Sequence, residues 1–210
     1  LLIVHIGDDS EGAFFALDPA TGAEKWTLPG HGPGYASPVS WGIISASRQP
    51  ESQIITMTDK AVVGVHTGTG KLLWQIPFPD EWNENIVTPV WGNDNIVIVS
   101  GTRKGTFGYR VEPKGSEWTA TQVWHNADVP MYMSSPILDG AFLYGFSNRR
   151  KGQLFCVEAA TGKLVYEERL GRAGQFYGSP VLAGNNLYAF TRNGVGFVLA
   201  PAIGGLLMLG

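Results

Sequence analysis

The sequence contains little that would support disulfide, metal or nucleic-acid chemistry. Of its 210 residues only Cys156 is a cysteine, so no internal disulfide can form. Its apolar neighbours predict a buried core residue rather than a reactive thiol. The net charge of −3 argues against a general nucleic-acid surface. The four histidines have no close-spaced partner and give no zinc signature; they are His5, His31, His66 and His125.

Long apolar runs and catalytic signatures are also absent. The apolar residues 204–210 are too few to cross a bilayer, which takes about 20 residues. No signal peptide, nucleophile elbow or phosphate loop is visible. The sequence begins at Leu1 without Met, already in a predicted strand. We therefore expect a piece of a longer protein, cut at least on the N-terminal side.

Glycine is abundant, with 28 residues, and one stretch that ends in an aromatic residue recurs along the chain. Residues 16–26 read ALDPATGAEKW, and near copies occupy residues 64–74 and 156–166. A stretched copy covers 110–124 and a degenerate one 198–208. The closing residues are 42 to 50 positions apart; they are Trp26, Trp74, Trp124, Tyr166 and Met208. A period in this range is typical of solenoids, propellers and arrays.

A second mark recurs out of phase with the first and divides the chain into units. It reads Ser-Pro or Thr-Pro, at Ser37, Thr88, Ser135 and Ser179. In the fourth unit, strands A to D are predicted over 136–138, 141–146, 153–157 and 163–166, joined by Gly- and Asn-rich turns. Four antiparallel strands per unit are the blade of a β-propeller. The predicted units are about 1–36, 37–87, 88–134, 135–178 and 179–210, as one domain whose first blade lacks strand A.

Each part of the repeat has a physical interpretation. Asp18 can accept backbone N–H bonds in the C–D turn, and Gly22 supplies the positive φ that such a turn needs. Trp26 lies on the last strand, where it can bury its ring against the neighbouring blade. His66 replaces the acid in the second copy, and turn capping is its expected role. Residues 113–119 are interpreted as an insertion in the third C–D turn.

The pattern Ala-x-Asp-x-x-Thr-Gly-x-x-x-Trp, followed by Ser-Pro-Val, resembles the tryptophan-docking repeat of PQQ-like (pyrroloquinoline-quinone-type) β-propellers. The resemblance covers essentially the whole chain. It implies an all-β partial propeller of about five four-stranded blades. The structural docking residues that it implies are Asp18, Thr21, Gly22, Trp26, Thr69, Gly70, Trp74, Trp124, Thr161, Gly162 and Tyr166.

The loops between strand D and the next strand A are the predicted partner-binding surface. Strand order places them at the rim of the central channel, on the face opposite the Thr-Gly turns. Their candidate partner-binding residues are His31, Tyr35, Glu81, Trp82, His125, Asp128, Tyr132, Arg172 and Tyr177. Loops on a rigid scaffold commonly carry function. The alternative is structural: Tyr35 and Tyr177, each two residues before a serine, would pack their loops onto the next blade.

The B–C loops lie on that same face, and acidic and basic loops occur in different units. Units one and two carry Asp8, Asp9, Glu11 and Asp59, whereas units three to five carry Arg103, Lys104, Arg149, Arg150, Lys151 and Arg192. Such a division could steer an oppositely charged partner. Alternatively, these polar turns are charged because they are solvated.

The resemblance favours a non-catalytic scaffold or protein-recognition module, similar to the outer-membrane assembly lipoproteins with this propeller. It implies a protein partner, no cofactor and a periplasmic or other extracytoplasmic location. One alternative is a fragment of a PQQ-dependent dehydrogenase, whose Ca²⁺ ligands and vicinal Cys–Cys pair would lie outside these residues. Another is the extracytoplasmic sensor propeller of a signalling protein. The acidic stretch at residues 8–11 is interpreted as an ordinary turn, not a calcium site.

Overall fold

The computed structural model describes residues 1–8, 11–41, 52–149, 152–170 and 177–200, and the backbone of 207–208. Within these residues the chain is all-β, with a 3₁₀ turn at Asn93–Asn95 and no α-helix. The strands form five antiparallel sheets, four of them four-stranded, and each sheet falls within one of the five repeat units. The predicted all-β class of four-stranded blades is confirmed.

The strands follow one another in the order of the chain within every sheet. The first sheet contains β1 (Leu2–Gly7), β2 (Gly12–Leu17) and β3 (Glu24–Pro29). The second contains β4 (Val39–Trp41), β5 (Gln53–Met57), β6 (Ala61–His66) and β7 (Leu72–Pro77). The third contains β8 (Val90–Trp91), β9 (Ile96–Gly101), β10 (Gly105–Lys114) and β11 (Glu117–Asn126).

The last two sheets repeat this meander. The fourth contains β12 (Ile137–Asp139), β13 (Phe142–Ser147), β14 (Gln153–Glu158) and β15 (Leu164–Glu168). The fifth contains β16 (Val181–Ala183), β17 (Asn186–Phe190), β18 (Gly196–Ala200) and β19 (Leu207–Met208). Consecutive strands can pair in this way because short turns join them, as at Gly140, Gly162 and Gly184.

The chain divides into two compact units, called the first unit and the second unit below, each of which contains several of the repeats. The first comprises Leu1–Pro89 with Glu112–Ala120, and the second comprises Val90–Val111 with Thr121–Gly210. In the first unit, fully buried Phe14 of β2 packs with Val63 and Val65 of β6. In the second unit, β13 and β14 pack with β17 and β18 through Leu154 and Leu187. In both units, therefore, the core lies between one sheet and the next.

The middle strands of the second and fourth sheets are buried along almost their whole length. Every residue of β5 is buried, as are five of the six residues of β6 and of β14. Most residues of these strands are apolar because neighbouring layers cover both of their faces, so no polar alternation is required. The outer strand β7 alternates between buried and exposed positions instead.

The expected insertion at residues 113–119 is not a loop. Strand β10 runs to Lys114 and β11 begins at Glu117, so the third C–D connection is a long hairpin with a tight turn at Gly115. Gly115 has a φ of +65°, the left-handed conformation that a turn between two strands commonly requires. The additional residues therefore extend two paired strands.

Candidate functional site

The turn that closes each repeat is organised by the residue at the motif's acidic position. In the first copy, Asp18 Oδ1 accepts the N–H of Ala20 at 3.0 Å and of Thr21 at 3.1 Å. The Gly22 N–H donates to the Asp18 carbonyl at 2.8 Å, with Gly22 at a φ of +72°. The bond from Ala20, with the Lys25 ammonium 3.3 Å away, holds the pKa of Asp18 below its usual value.

Two further copies form the same turn with different side chains. The Gly70 N–H donates to the His66 carbonyl at 2.9 Å, and His66 Nδ1 accepts the Thr69 N–H at 3.1 Å. The Gly162 N–H donates to the Glu158 carbonyl at 2.8 Å. In each copy the threonine Oγ1 accepts the N–H two residues later, at 3.3, 3.4 and 3.2 Å for Thr21, Thr69 and Thr161. His66 therefore occupies the same capping position as Asp18.

In the first unit, the Trp26 ring lies on the Thr-Gly turn of the following repeat. Its indole Nε1–H donates to the Thr67 carbonyl at 2.9 Å. A Cβ added to Gly70 would lie 2.5 Å from Trp26 Cε3, so the ring covers the position where any other residue would carry its side chain. This contact joins β3 of one sheet to the turn after β6 of the next.

In the second unit, Trp124 makes the equivalent contact with the fourth repeat. Its Nε1–H donates to the Ala159 carbonyl at 3.1 Å, and a Cβ on Gly162 would lie 2.4 Å from Trp124 Cε3. The following Asn126 adds a side-chain bond to the Gly162 carbonyl at 2.7 Å. Two tryptophans therefore make the contact that the motif predicts for docking, and the energetic role of that contact stays a proposal.

Trp74 and Tyr166 are held differently. The Trp74 ring is 5% exposed, and its Nε1–H donates to Gln53 Oε1 at 2.7 Å, within its own sheet. Tyr166 lies opposite Cys156 in the β14–β15 pair, and it packs against the core of the second unit. Burial raises the pKa of the Cys156 thiol to about 11.

Each docking aromatic lies over a small residue on the neighbouring strand. A Cβ on Gly64 or Gly108 would come within 2.2 Å of the Trp74 or Trp124 ring, respectively. Ala16 and Cys156 are paired with Trp26 and Tyr166. Ala16, Gly64 and Cys156 stand two positions before the motif's acidic position, a signal that the sequence carries. Gly108 lies two residues before the stretched third copy begins.

The recurring Ser-Pro and Thr-Pro marks connect one repeat to the next through hydrogen bonds. The Ser37 N–H donates to Thr88 Oγ1 at 3.2 Å in the first unit. The Ser135 N–H donates to Ser179 Oγ at 2.9 Å in the second. The hydroxyl of each later mark thus accepts the N–H of the earlier one, which accounts for a Ser or Thr at these positions.

In the first unit, the predicted loops expose two large aromatic side chains. Tyr35 is 72% exposed and Trp82 is 64% exposed. The Trp82 N–H donates to Asp80 Oδ1 at 3.0 Å, and Glu81, the neighbouring predicted residue, is also exposed. The exposure of Tyr35 does not fit the alternative in which this ring packs its loop onto the next blade.

Asn85, which the sequence analysis did not single out, ties these loops to the scaffold. It is 2% exposed, and its amide donates to the Thr58 carbonyl at 2.8 Å and to the Phe78 carbonyl at 2.9 Å. The backbone carbonyl of Asn85 accepts the N–H groups of Tyr35 at 3.0 Å and Ala36 at 3.1 Å. One buried residue, through its side-chain amide and its backbone carbonyl, therefore fixes both aromatic loops and the turn after β5.

His31 belongs to a half-buried group beside these loops. The His5 ring stacks on Phe14 with centroids 3.8 Å apart, and His5 Nε2 bonds to the His31 carbonyl at 2.9 Å. Burial lowers the pKa of both histidines, and the carboxylate of Asp59 opposes that shift. Asp59 is itself 3% exposed and forms an ion pair with Lys60 at 3.1 Å. His31 is thus partly a packing residue.

In the second unit, His125 and Asp128 lie at the end of β11. The His125 ring stacks on Phe107 with centroids 4.1 Å apart, and its Nε2 bonds to the Lys104 carbonyl at 2.7 Å. Asp128 forms an exposed ion pair with Arg149. These contacts occupy one ring nitrogen of His125 and the carboxylate of Asp128.

The remaining predicted loop residues are less exposed or lie outside the description. Tyr132 is half-buried. Tyr177 is 37% exposed, and the Arg192 guanidinium lies 5.8 Å from its ring centroid. Arg172, together with Asp9, Arg150 and Lys151 of the B–C loops, lies outside the described residues. The first unit therefore contains the described candidates His31, Tyr35, Glu81 and Trp82. The other described candidates belong to the second unit; they are His125, Asp128, Tyr132 and Tyr177.

The described residues of this chain do not fit a quinone dehydrogenase site. A calcium ion at such a site needs several oxygen ligands from one cluster. Across the described residues, no three Asp, Glu, His or Cys side chains are placed to hold a metal ion. A vicinal cysteine pair cannot form either, because Cys156 is the single cysteine. No step through a quinone follows from these residues.

A family model described as outer membrane protein assembly factor BamB matches residues 2–163. The chain belongs to the BamB family. The match covers most of the chain, and it confirms the resemblance to PQQ-like repeat proteins. Among curated protein sequences, none matches this chain.

Solved structures agree with this family at the level of fold. BamB from Moraxella catarrhalis superposes with a TM-score of 0.68 at 17% identity, covering 98% of this chain and 60% of that one. A europium-containing methanol dehydrogenase gives a TM-score of 0.57 at 12% identity, covering 90% and 44%. The computationally designed Ika4 protein gives 0.52 at 13% identity, covering 78% and 88%.

These likenesses show the fold and leave the activity to be proposed. The chain spans 60% of the BamB structure and 44% of the dehydrogenase structure. The described part of the chain contains no helix with the length and hydropathy needed to cross a membrane.

Proposed function

We propose that this BamB-family chain is a non-catalytic recognition module that binds a protein partner in outer-membrane protein assembly, outside the cytoplasm. The proposal rests on family membership together with one structural observation. That observation is the pair of exposed aromatic loops in the first unit, Tyr35 at 72% and Trp82 at 64% exposure.

Exposed aromatic side chains on fixed loops are well suited to protein binding. Tyr and Trp are over-represented among the residues that dominate interface energies, since they bury a large area with few rotatable bonds. Asn85 holds both loops through bonds of 2.8 to 3.1 Å, so less conformational entropy is lost when a partner binds. These two loops thus support the proposal by offering a prepared surface for a partner.

Charged turns supply a second feature that favours a macromolecular partner. Asp8 and Glu11 lie on the β1–β2 turn of the first unit, and Arg103 and Arg149 lie on the corresponding turns of the second. Charged groups at an interface rim accelerate encounter and select partners of opposite charge more than they add affinity. Association should therefore weaken as ionic strength rises.

Site-specific photo-crosslinking in the natural host tests the proposal. A benzoylphenylalanine placed at Tyr35 or at Trp82 of the full-length protein should give an adduct with one and the same protein. Val123 on β11, which is 39% exposed and belongs to the second unit, is the control position and should give none. The absence of an adduct at both loops would contradict a recognition role for this surface. The same adduct at Val123 as at the loops would also contradict it.

A functional readout accompanies the crosslink. In a strain that lacks the gene, complementation by the double variant Tyr35→Ala and Trp82→Ala should restore fewer folded outer-membrane proteins than the wild type does. Val123→Ala should restore them fully. Full restoration by the double variant would show that the aromatic loops are not the partner surface.

A further inference from the structure

A pocket of about 460 Å³ lies in the first unit, where the β6–β7 turn faces the tip of the β10–β11 hairpin. The turn contributes His66, Lys71 and Leu72, and the hairpin contributes Ser116, Glu117 and Trp118. Small-molecule sites typically have volumes of about 300–1,000 Å³. The pocket therefore has room for a small ligand.

The pocket exists because the third repeat departs from the pattern of the others. Where three other described repeats continue from strand to strand through short turns, β10 extends to Lys114 and β11 begins at Glu117. This longer hairpin places residues 116–118 beside the start of β7. The extension contributes nothing to the Thr-Gly turn, which this repeat lacks.

His66 presents a hydrogen-bond donor at the pocket. The Thr69 N–H can only donate, and it bonds to His66 Nδ1 at 3.1 Å. Nδ1 therefore carries a lone pair, and the proton of the neutral ring lies on Nε2. An aspartate at this position, as in the first repeat, would offer no such donor.

Three polar side chains at the pocket have no partner among the described residues. The Lys71 ammonium, the Ser116 hydroxyl and the Glu117 carboxylate form no side-chain hydrogen bond or ion pair there. All three are exposed, so water satisfies them without cost. Together with His66 they offer donors and an acceptor around one opening.

Trp118 and Leu72 supply the apolar part of the pocket. Trp118 is half-buried, and Trp41 packs against it edge-on, with ring centroids 6.1 Å apart and planes at 85°. Such a pair fixes the orientation of both rings. Leu72 also contacts the core of the first unit, so this wall is rigid as well.

We propose that this pocket binds a neutral sugar ring. A sugar presents carbon-bound hydrogens on its faces and hydroxyls at its rim, and each hydroxyl both donates and accepts. Its faces suit Trp118 and Leu72, and its hydroxyls can donate to Glu117 while they accept from His66, Lys71 and Ser116. An isolated anion would be opposed by Glu117 and an isolated cation by Lys71, whereas a neutral hydroxyl-rich ligand suits both charges.

Binding should be weak because the polar groups are exposed and the pocket is open. For a ligand of hexose size we expect a Kd of about 1 mM. The test measures ligand-observed NMR saturation transfer and calorimetry on the full chain, with glucose, N-acetylglucosamine and their β-1,4-linked disaccharides as probes. Saturable binding of at least one of them is the expected result.

Paired variants locate the site. Glu117→Gln and Lys71→Gln should each weaken binding about tenfold, the effect of losing one hydrogen bond to a charged group. Glu112→Gln on the same hairpin and Lys163→Gln at the same position of another repeat should change the Kd less than twofold, because neither residue lines the pocket. Thermal unfolding of every variant verifies its fold, and the two pocket variants lie on opposite walls.

The outcomes separate clearly. Absence of saturable binding by all four sugars, at concentrations well above the expected Kd, would overturn the proposal. Equal affinity in the pocket variants and their controls would also overturn it, since the sugar would then bind elsewhere. The proposed partner surface at Tyr35 and Trp82 is independent of either result.

Discussion

The contact between Trp26 and Gly70 yields a prediction with an internal control. Gly22 and Gly70 occupy the same turn position, with φ of +72° and +71°. An added Cβ on Gly22 meets nothing within 4 Å, whereas one on Gly70 would lie 2.5 Å from Trp26 Cε3. Substitution by alanine therefore imposes the same backbone strain at both sites but a steric clash at only one.

The two costs can be estimated separately. Left-handed backbone in a residue with a Cβ costs about 1–2 kcal/mol, so Gly22→Ala should lower the free energy of unfolding by about that amount. Forcing a buried contact apart adds about 1–3 kcal/mol, so Gly70→Ala should lose about 2–5 kcal/mol. In a chain of this size each kcal/mol lowers the Tm by about 2–4 °C.

The assay is thermal unfolding of the two variants and the wild type, followed by circular dichroism under one buffer condition. Gly70→Ala should melt clearly below Gly22→Ala. Gly162→Ala should behave like Gly70→Ala, since its Cβ would lie 2.4 Å from Trp124 Cε3. A Gly70→Ala protein that melts with Gly22→Ala would refute the docking role of Trp26.

Three further predictions concern buried groups. Asn85→Ala should lower the free energy of unfolding by about 2–3 kcal/mol, because the carbonyls of Thr58 and Phe78 lose a buried donor, and unchanged urea denaturation would contradict this. Burial holds the pKa of His5 below 6.5, so the unfolded chain binds more protons as pH falls through that value. The Tm should therefore fall from pH 7 to 5, less steeply in His5→Gln; parallel curves would count against it. Cys156, with a pKa raised to about 11, should react with a thiol reagent at pH 8 only after unfolding, and rapid labelling of the native protein would show that it is accessible.

The strand boundaries could be predicted because turn residues recur at fixed positions of the repeat. The strands expected at 153–157 and 163–166 are observed at Gln153–Glu158 and Leu164–Glu168. Gly and Asn at the turns restrict where a strand can end, and the Thr-Gly turn recurs in three copies of the motif. Local backbone chemistry was therefore sufficient for this level of the structure.

Contacts between residues far apart in the sequence could not be predicted in the same way. Trp74 bonds to Gln53 rather than to a Thr-Gly turn, because the next repeat lacks that turn. Tyr35 and Tyr177 hold matching positions, yet they are 72% and 37% exposed. Asn85 is an unremarkable polar residue in a loop, and only the folded chain shows the carbonyls that it joins.

The most direct test of a non-catalytic role is a titration of the longest natural form of this protein with pyrroloquinoline quinone and Ca²⁺. Quinone absorbance reports binding, and a dye-linked alcohol oxidation assay reports turnover. Because we propose that this BamB-family chain is a recognition module, we predict neither saturable binding nor turnover. Saturable binding with turnover would contradict the proposal and make the chain part of a quinone-dependent dehydrogenase.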